Sequence, residues 1–135
     1  MSALTADRDT PKRDGQEYSF PVAASTKIYQ GAIVALNSSG YATKGATATT
    51  LAAVGVAVER ADNSAGSAGD INVKIRRGVF KFGNSSSTDA IANTEYGANC
   101  YIVDDQTVAK TNGSSTRSVA GIVRGVDSDG VWVQF

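Results

Sequence analysis

The chain has 135 residues, with 13 basic and 13 acidic side chains, and it contains no histidine. The missing imidazole excludes Ser-His-Asp and Cys-His catalytic arrangements as well as zinc sites that contain histidine. The lone cysteine, Cys100, excludes an internal disulfide, and the balanced charge argues against a protein that mainly wraps nucleic acid, because such binding needs a basic excess.

The first 17 residues differ in composition from the rest of the chain. Seven of them are charged, with both signs mixed, and few of them are apolar. Because such a segment cannot bury enough apolar surface to offset the loss of chain entropy, we predict a flexible N-terminal arm over residues 1–17. The segment also lacks the basic start and apolar stretch of a secretory signal, so we expect synthesis in the cytoplasm.

Strand patterns begin at Tyr18. Phe20 and Val22 continue the alternation of apolar side chains, and Pro21 favours a sheet edge because proline cannot donate to the ladder. Further strand patterns of the first half lie at 32–36, 41–43, 54–58 and 71–75, with a turn at 37–40 and a Gly- and Ser-rich loop at 62–69.

The second half continues in the same style. Strand patterns lie at 78–82, 101–103, 107–109, 119–126 and 131–135, and one short helical turn is predicted within 87–92. No segment keeps a helical apolar period over a dozen residues. We therefore predict an all-β domain over residues 18–135, built as a small sandwich or barrel (jelly-roll-like or a compact β-barrel) of about ten short strands.

The two halves of the chain resemble each other. Identical residues recur 66 positions later (97 − 31 and 121 − 55) at Gly31, Ala32, Lys44, Thr50 and Gly55. When the longer loop of the first half is shortened, the strand at 71–75 falls over 131–135. The matches and the shared order of strands and turns indicate a duplicated β unit.

Few side chains are candidates for chemistry. Cys100 begins an apolar strand and is interpreted as a buried side chain, because a catalytic thiol would need a base that the sequence lacks. Asp104 and Asp105 are interpreted as turn residues, since neighbours on a strand point to opposite faces. The segment 127–130 resembles the opening of a calcium loop without its closing glutamate. We therefore expect no catalytic residue, no metal and no cofactor, and predict that the protein is not an enzyme.

One run of the sequence is rich in basic residues, namely Lys74, Arg76, Arg77 and Lys81. Lys74 and Arg76 share a strand face, which is either a solvated face or a basic stripe that docks on an acidic protein surface or near nucleic acid. Phe80 and Phe82 lie opposite Lys81, so they are interpreted as core rather than as a platform for stacked bases.

The order of these pieces points to a family. The pieces are the Gly31 strand with its Asn-Ser-Ser-Gly turn, the segments 54–57, 71–75 and 77–80, Gly97 with 100–104, Thr107-Val108, 120–123 and 131–133. Over about residues 20–135 this order resembles the small capsid cement (head decoration) proteins of tailed bacteriophages and prophages.

The resemblance implies a structural virion protein on the outside of an icosahedral capsid, which it stabilises by bridging subunits of the major capsid protein. It also implies a homo-oligomer, dimer or trimer, that is made in the host cytoplasm and contacts neither membrane nor nucleic acid directly. Our first hypothesis for the capsid contact is the arm with the strand that follows it, and our second is the basic run. The residues concerned are Arg8, Lys12, Arg13, Tyr18, Phe20, Lys74, Arg76, Arg77 and Lys81.

The alternative function is a β-sandwich module that binds carbohydrate or a host surface. Such a module needs exposed aromatic side chains gathered on one face. The candidates, Tyr29, Tyr41, Tyr96 and Trp132, are scattered along the sequence.

Overall fold

Residues 2–13 and 15–135 are described by the structure, a computed structural model. The strands are β1 (Glu17–Pro21), β2 (Thr26–Ile28), β3 (Ile33–Leu36), β4 (Ala42–Lys44), β5 (Ala52–Ala57), β6 (Ala61–Asn63), β7 (Asn72–Arg76), β8 (Val79–Asn84), β9 (Asn99–Ile102), β10 (Thr107–Ala109), β11 (Val119–Asp127) and β12 (Gly130–Gln134). Short 3-10 turns lie at Ser87–Asp89, within the predicted helical turn, and at Asn93–Glu95. The predicted all-β class is confirmed, and the two additional strands are β2 and β6.

Five strands of the second half close into a barrel in the order β10-β8-β12-β11-β9, which we call the second barrel. Its neighbouring strands are antiparallel except β10 and β8, whose parallel pairing closes the ring. The buried side chains of these strands include Phe82, Cys100, Ile102, Val108, Val123, Val131 and Val133. Phe80 and Phe82 lie on the inner side of β8, opposite the exposed Lys81, as the alternation predicted.

The first half repeats this strand order as an antiparallel sheet, β1-β7-β5-β3-β4. Its two edges approach each other at a parallel bridge between Val22 and Ala42, so we call it the first barrel. Its buried side chains include Val22, Val34, Ala42, Ala57, Val73 and Ile75. The ribbon formed by β2 and β6 packs Ile28 and Ala61 into the same core.

The pairing registers confirm that the two barrels are copies of one unit. Three residue pairs of β3 and β5 recur 66 positions later in β9 and β11. Ile33–Val56 recurs as Asn99–Ile122, Val34–Gly55 as Cys100–Gly121, and Ala35–Ala53 as Tyr101–Val119. Both ladders are interrupted at the same place by a β-bulge. Because a bulge re-aims every side chain beyond it, its repetition gives the two copies the same inward and outward positions.

One part of the predicted alignment is wrong. The sequence comparison placed Ile75 over Phe135. In the structure Ile75 pairs with Ala57, and Val133 pairs with Val123, the residue equivalent to Ala57. Ile75 is therefore equivalent to Val133. These equivalent strand positions are 58 residues apart (133 − 75), so the connection from β5 to β7 is longer than that from β11 to β12 by eight residues (66 − 58). A slip of two residues preserves an alternating pattern, which is why the sequence did not expose the error.

Gly55 and Gly121 occupy the bulge in the two copies. A Cβ atom on Gly55 would lie 2.5 Å from the carbonyl oxygen of Arg76, and one on Gly121 would overlap the carbonyl oxygen of Gln134. Arg76 and Gln134 are themselves equivalent residues of β7 and β12. The same close approach of two backbones therefore excludes a side chain at both positions.

The two barrels pack end to side. On the outer side of the first barrel, Ile33, Ala35 and Val56 are buried in the core of the second barrel. The second barrel contributes one of its ends, where β9 finishes at Ile102 and the turn beyond it begins. The amide of Ile33 donates a 2.9 Å hydrogen bond to the carbonyl of Asp105 in that turn, which ties the two copies together through the backbone.

We expect Gly121→Ala to lower the free energy of unfolding by about 3 kcal/mol, because the new methyl group must push the backbone of Gln134 away. The matched control is Gly40→Ala, where φ is +84° and no atom lies within 4 Å of the added Cβ. That change should cost about 1 kcal/mol through backbone strain alone. Urea unfolding followed by tryptophan fluorescence measures both losses, and equal losses would contradict the close approach.

Candidate functional site

The predicted arm is exposed wherever the structure describes it. Residues 2–13, which include Arg8 and Lys12, are exposed and contain neither strand nor helix. Met1 and Asp14, which the prediction also assigned to the arm, lie outside the described residues. The strand β1 begins at Glu17, one residue inside the predicted arm.

Four of the predicted contact residues line one groove, although the sequence placed them in two separate groups. The groove has a volume of about 300 Å³, and its walls are formed by Arg13, Tyr18, Phe20, Ala53, Val54, Arg77 and Phe135. It lies at the end of the first barrel where β1 begins and β7 finishes, and we call it the mouth groove. Its walls combine apolar side chains with two guanidinium groups.

Local pairing explains why these side chains meet. Tyr18 and Phe20 pair with Ile75 and with Val73 across β1 and β7, so their rings point to the side of the first core and remain half-buried. Arg77 follows β7 directly, and its amide donates a 2.7 Å hydrogen bond to the carbonyl of residue 16. The pairing of β1 with β7 therefore positions the groove.

Arg13 connects the arm to this groove. The central carbon of its guanidinium group lies 4.6 Å from the centroid of the Tyr18 ring. A cation over an aromatic face at an exposed site contributes about 0.5–1 kcal/mol. The contact places the end of the described arm beside the groove.

The basic run does not form one stripe. Lys74 and Arg76 are exposed on the outer face of β7, as predicted, while Lys81 lies on β8 of the second barrel. Arg76 Nη2 lies 2.7 Å from a carboxylate oxygen of Glu17. The hydrogen bond from Arg76, together with its charge, lowers the pKa of Glu17. Part of the positive charge in this run is therefore balanced by a neighbouring strand.

Lys81 is balanced in the same way. Its Nζ lies 3.0 Å from the carboxylate of Asp129 and 3.6 Å from that of Asp127, and the hydrogen bond to Asp129 raises the pKa of Lys81. Asp127 also accepts a 2.8 Å hydrogen bond from Nε1 of Trp132. The turn that resembled the opening of a calcium loop thus directs its carboxylates toward side chains of its own barrel. Across residues 2–13 and 15–135, no cluster of three or more His, Cys, Asp or Glu side chains could hold a metal ion.

Cys100 and Asp104 have the structural roles that the sequence predicted. Cys100 is fully buried, and this burial raises the pKa of its thiol to about 11. Asp104 accepts a 2.9 Å hydrogen bond from the amide of Gln106 and so stabilises the turn between β9 and β10. A buried thiol with a raised pKa is a poor nucleophile at neutral pH.

The aromatic side chains of the alternative function are divided between the barrels. Tyr29 and Tyr41 belong to the first half of the chain, and Tyr96 and Trp132 belong to the second. The exposed fraction is 61% for Tyr96 and 38% for Trp132. Arg124 lies with its guanidinium carbon 5.8 Å from the Tyr96 ring. Each barrel therefore contributes two of the four rings.

Three residues of the groove were not among the predicted contact residues: Ala53, Val54 and Phe135. Val54 belongs to the apolar strand pattern predicted at 54–58. The bulge at Gly55 breaks the alternation within that run, so the direction of each side chain could not be inferred from spacing. Phe135 reaches the groove only because the second barrel packs against the first.

Neither the family models nor the curated proteins nor the solved structures that were compared with this chain match it. The described residues include no helix with the length and apolar character required to cross a membrane.

We expect native Cys100 to react with an aromatic disulfide reagent at neutral pH far more slowly than the unfolded chain does, because the thiol is buried and its ionisation is disfavoured. The reaction is followed by absorbance with and without denaturant. A Ser39→Cys variant, which adds a thiol in the exposed turn after β3, provides the positive control in the native protein. Rapid reaction of native Cys100 would contradict its burial.

Proposed function

We propose that this protein is a structural virion protein that binds the outside of an icosahedral phage capsid and bridges subunits of its major capsid protein. The observation that supports the proposal is the exposed arm that leaves the first barrel at the mouth groove, where Arg13 lies over Tyr18. The resemblance of the strand order to capsid cement proteins supports the same function. The proposal includes a homo-oligomeric state on the capsid exterior and no catalytic activity.

The arm and the groove suit such a contact for different physical reasons. An extended segment with exposed backbone can order along a neighbouring surface, and it contributes affinity only where that surface is present. The groove offers half-buried aromatic rings beside two arginines, a combination common at the centre of protein interfaces. Together they form one continuous candidate surface on the first barrel.

The energetic role follows from linkage. A protein that binds the assembled shell more tightly than the separate subunits shifts the equilibrium toward the shell. Because the shell is symmetric, many copies bind, and a modest contact is multiplied. The carbohydrate-binding alternative is less favoured, because its four candidate rings are divided between the barrels.

Purified protein should co-sediment with intact shells of the cognate major capsid protein and should raise the temperature at which these shells dissociate. Unassembled subunits should bind it more weakly, because a bridging contact needs two neighbours. Sedimentation with intact and dissociated shells measures both interactions. Failure to bind intact shells would overturn the proposed function.

Deletion of residues 1–13 should weaken shell binding by about tenfold, the equivalent of one or two lost side-chain contacts. The deletion removes the contact of Arg13 with Tyr18 but leaves the Glu17–Arg76 ion pair in place, so the temperature of unfolding should fall by only a few degrees. Lys74→Ala, on the outer face of β7, is the comparison variant for the basic run. Unchanged binding after the deletion, with weaker binding of the Lys74 variant, would assign the contact to the basic run instead of the arm.

A further inference from the structure

Within one chain, the two copies meet through surfaces that are not equivalent. The first barrel contributes its side, where Ile33 and Ala35 are fully buried. The second barrel contributes its end, where Ile102 is fully buried and Ala120 nearly so. Because the barrels are copies, each of these surfaces has a counterpart on the other barrel, and packing within the chain leaves both counterparts uncovered.

The counterpart of the buried side lies on β9 and β11 of the second barrel. The registers make Asn99 and Tyr101 equivalent to Ile33 and Ala35. Asn99 is exposed and Tyr101 is half-buried. Beside them lies Val119, the first residue of β11, which is exposed to 42%. We call this surface the free side.

The counterpart of the buried end is the end of the first barrel that holds the mouth groove. Leu36 and Val54 of the first barrel are equivalent to Ile102 and Ala120 of the second. Both are only half-buried, whereas their counterparts are 0% and 4% exposed. Leu36 and Val54 are less buried than their counterparts because no other part of the chain that the structure describes covers this end of the first barrel as fully.

We propose that a second copy of this chain supplies that partner: the mouth groove of one copy seats on the free side of the next, and so repeats between chains the end-to-side packing found within the chain. The counterparts of these two surfaces, which have the same strand registers, already pack against each other within each chain. The free side is also more polar than its buried counterpart, since Asn99 replaces Ile33. Such surfaces suit a contact whose two faces must also exist in water.

This contact is heterologous, because it joins two different surfaces. Each chain retains one groove and one free side after every association, so copies add head to tail and form a closed ring if the rotation between them permits. The inference rests on the internal duplication and not on capsid binding. In such an assembly the neighbouring copy occupies the groove, so the exposed arm at its rim is the part that remains for the shell contact. The test uses the protein alone, so its failure would leave the proposed shell contact standing.

The test uses one variant for each surface. Val119→Asp should block the free side and Val54→Asp the mouth groove, each weakening self-association by about a hundredfold through an unpaired carboxylate at the contact. Light scattering after size-exclusion chromatography should then give oligomers for the native chain and monomers for each variant. An equimolar mixture of the two variants should form a one-to-one dimer, because each supplies the surface that the other has lost.

The matched control is Val79→Glu on the outer face of β8, outside both surfaces. Val79 is exposed to 46%, close to Val119, and the equivalent position of the first barrel already holds Glu17. This variant should assemble as the native chain does. A monomeric native chain at the highest soluble concentration, or normal assembly of Val119→Asp, would overturn the proposal.

Because Val54 is half-buried, its variant must be shown to fold by its temperature of unfolding. Arg77→Glu, at the exposed rim of the groove, is the second groove variant and should also complement Val119→Asp. Hydrogen exchange of the native chain supplies a measurement without mutation. Amides near Tyr18 and near Val119 should exchange more slowly at high protein concentration than at low, and equal exchange at both surfaces would contradict the contact.

Discussion

A short five-stranded barrel leaves apolar side chains uncovered at its ends, and this molecule covers one end of its second barrel with the side of its first. The strand β3 lies between the two cores, so the side chains on both of its faces are buried. Val34 points into the first core, while Ile33 and Ala35 point into the second. A strand shared by two cores couples them, so the two copies are expected to unfold as one cooperative unit.

Duplication has preserved the backbone and changed the surface. On the outer faces, the position of Lys74 in the first barrel is held by Trp132 in the second, and that of Glu17 by Val79. One barrel therefore presents charge where the other presents apolar and aromatic groups. Two unlike outer faces on one chain suit the proposed role as a bridge between different neighbours.

The sequence predicted the elements whose signals are local. The hairpin of β3 and β4 could be read because polar turn residues at 37–40 separate two apolar runs. The strands β2 and β6 could not, because they pair with each other and not with a neighbour in sequence, and β6 ends in a buried polar residue, Asn63. Its amide nitrogen donates to carbonyls of Ala23 and Ser67, each at 2.9 Å, and such partners are invisible in a sequence. The mouth groove was missed as a unit for the same reason, since only the pairing of β1 with β7 brings Arg77 beside Tyr18.

The longer connection between β5 and β7 is an insertion that one copy of the unit has already accepted. The first copy folds the additional residues into β6 and a small loop, yet its five strands keep the registers found in the second copy, where β11 turns directly into β12. The equivalent turn at 128–129 lies on the exposed surface. A foreign peptide grafted there would enter at a point where the fold has tolerated added length, which makes this turn the natural place to display one.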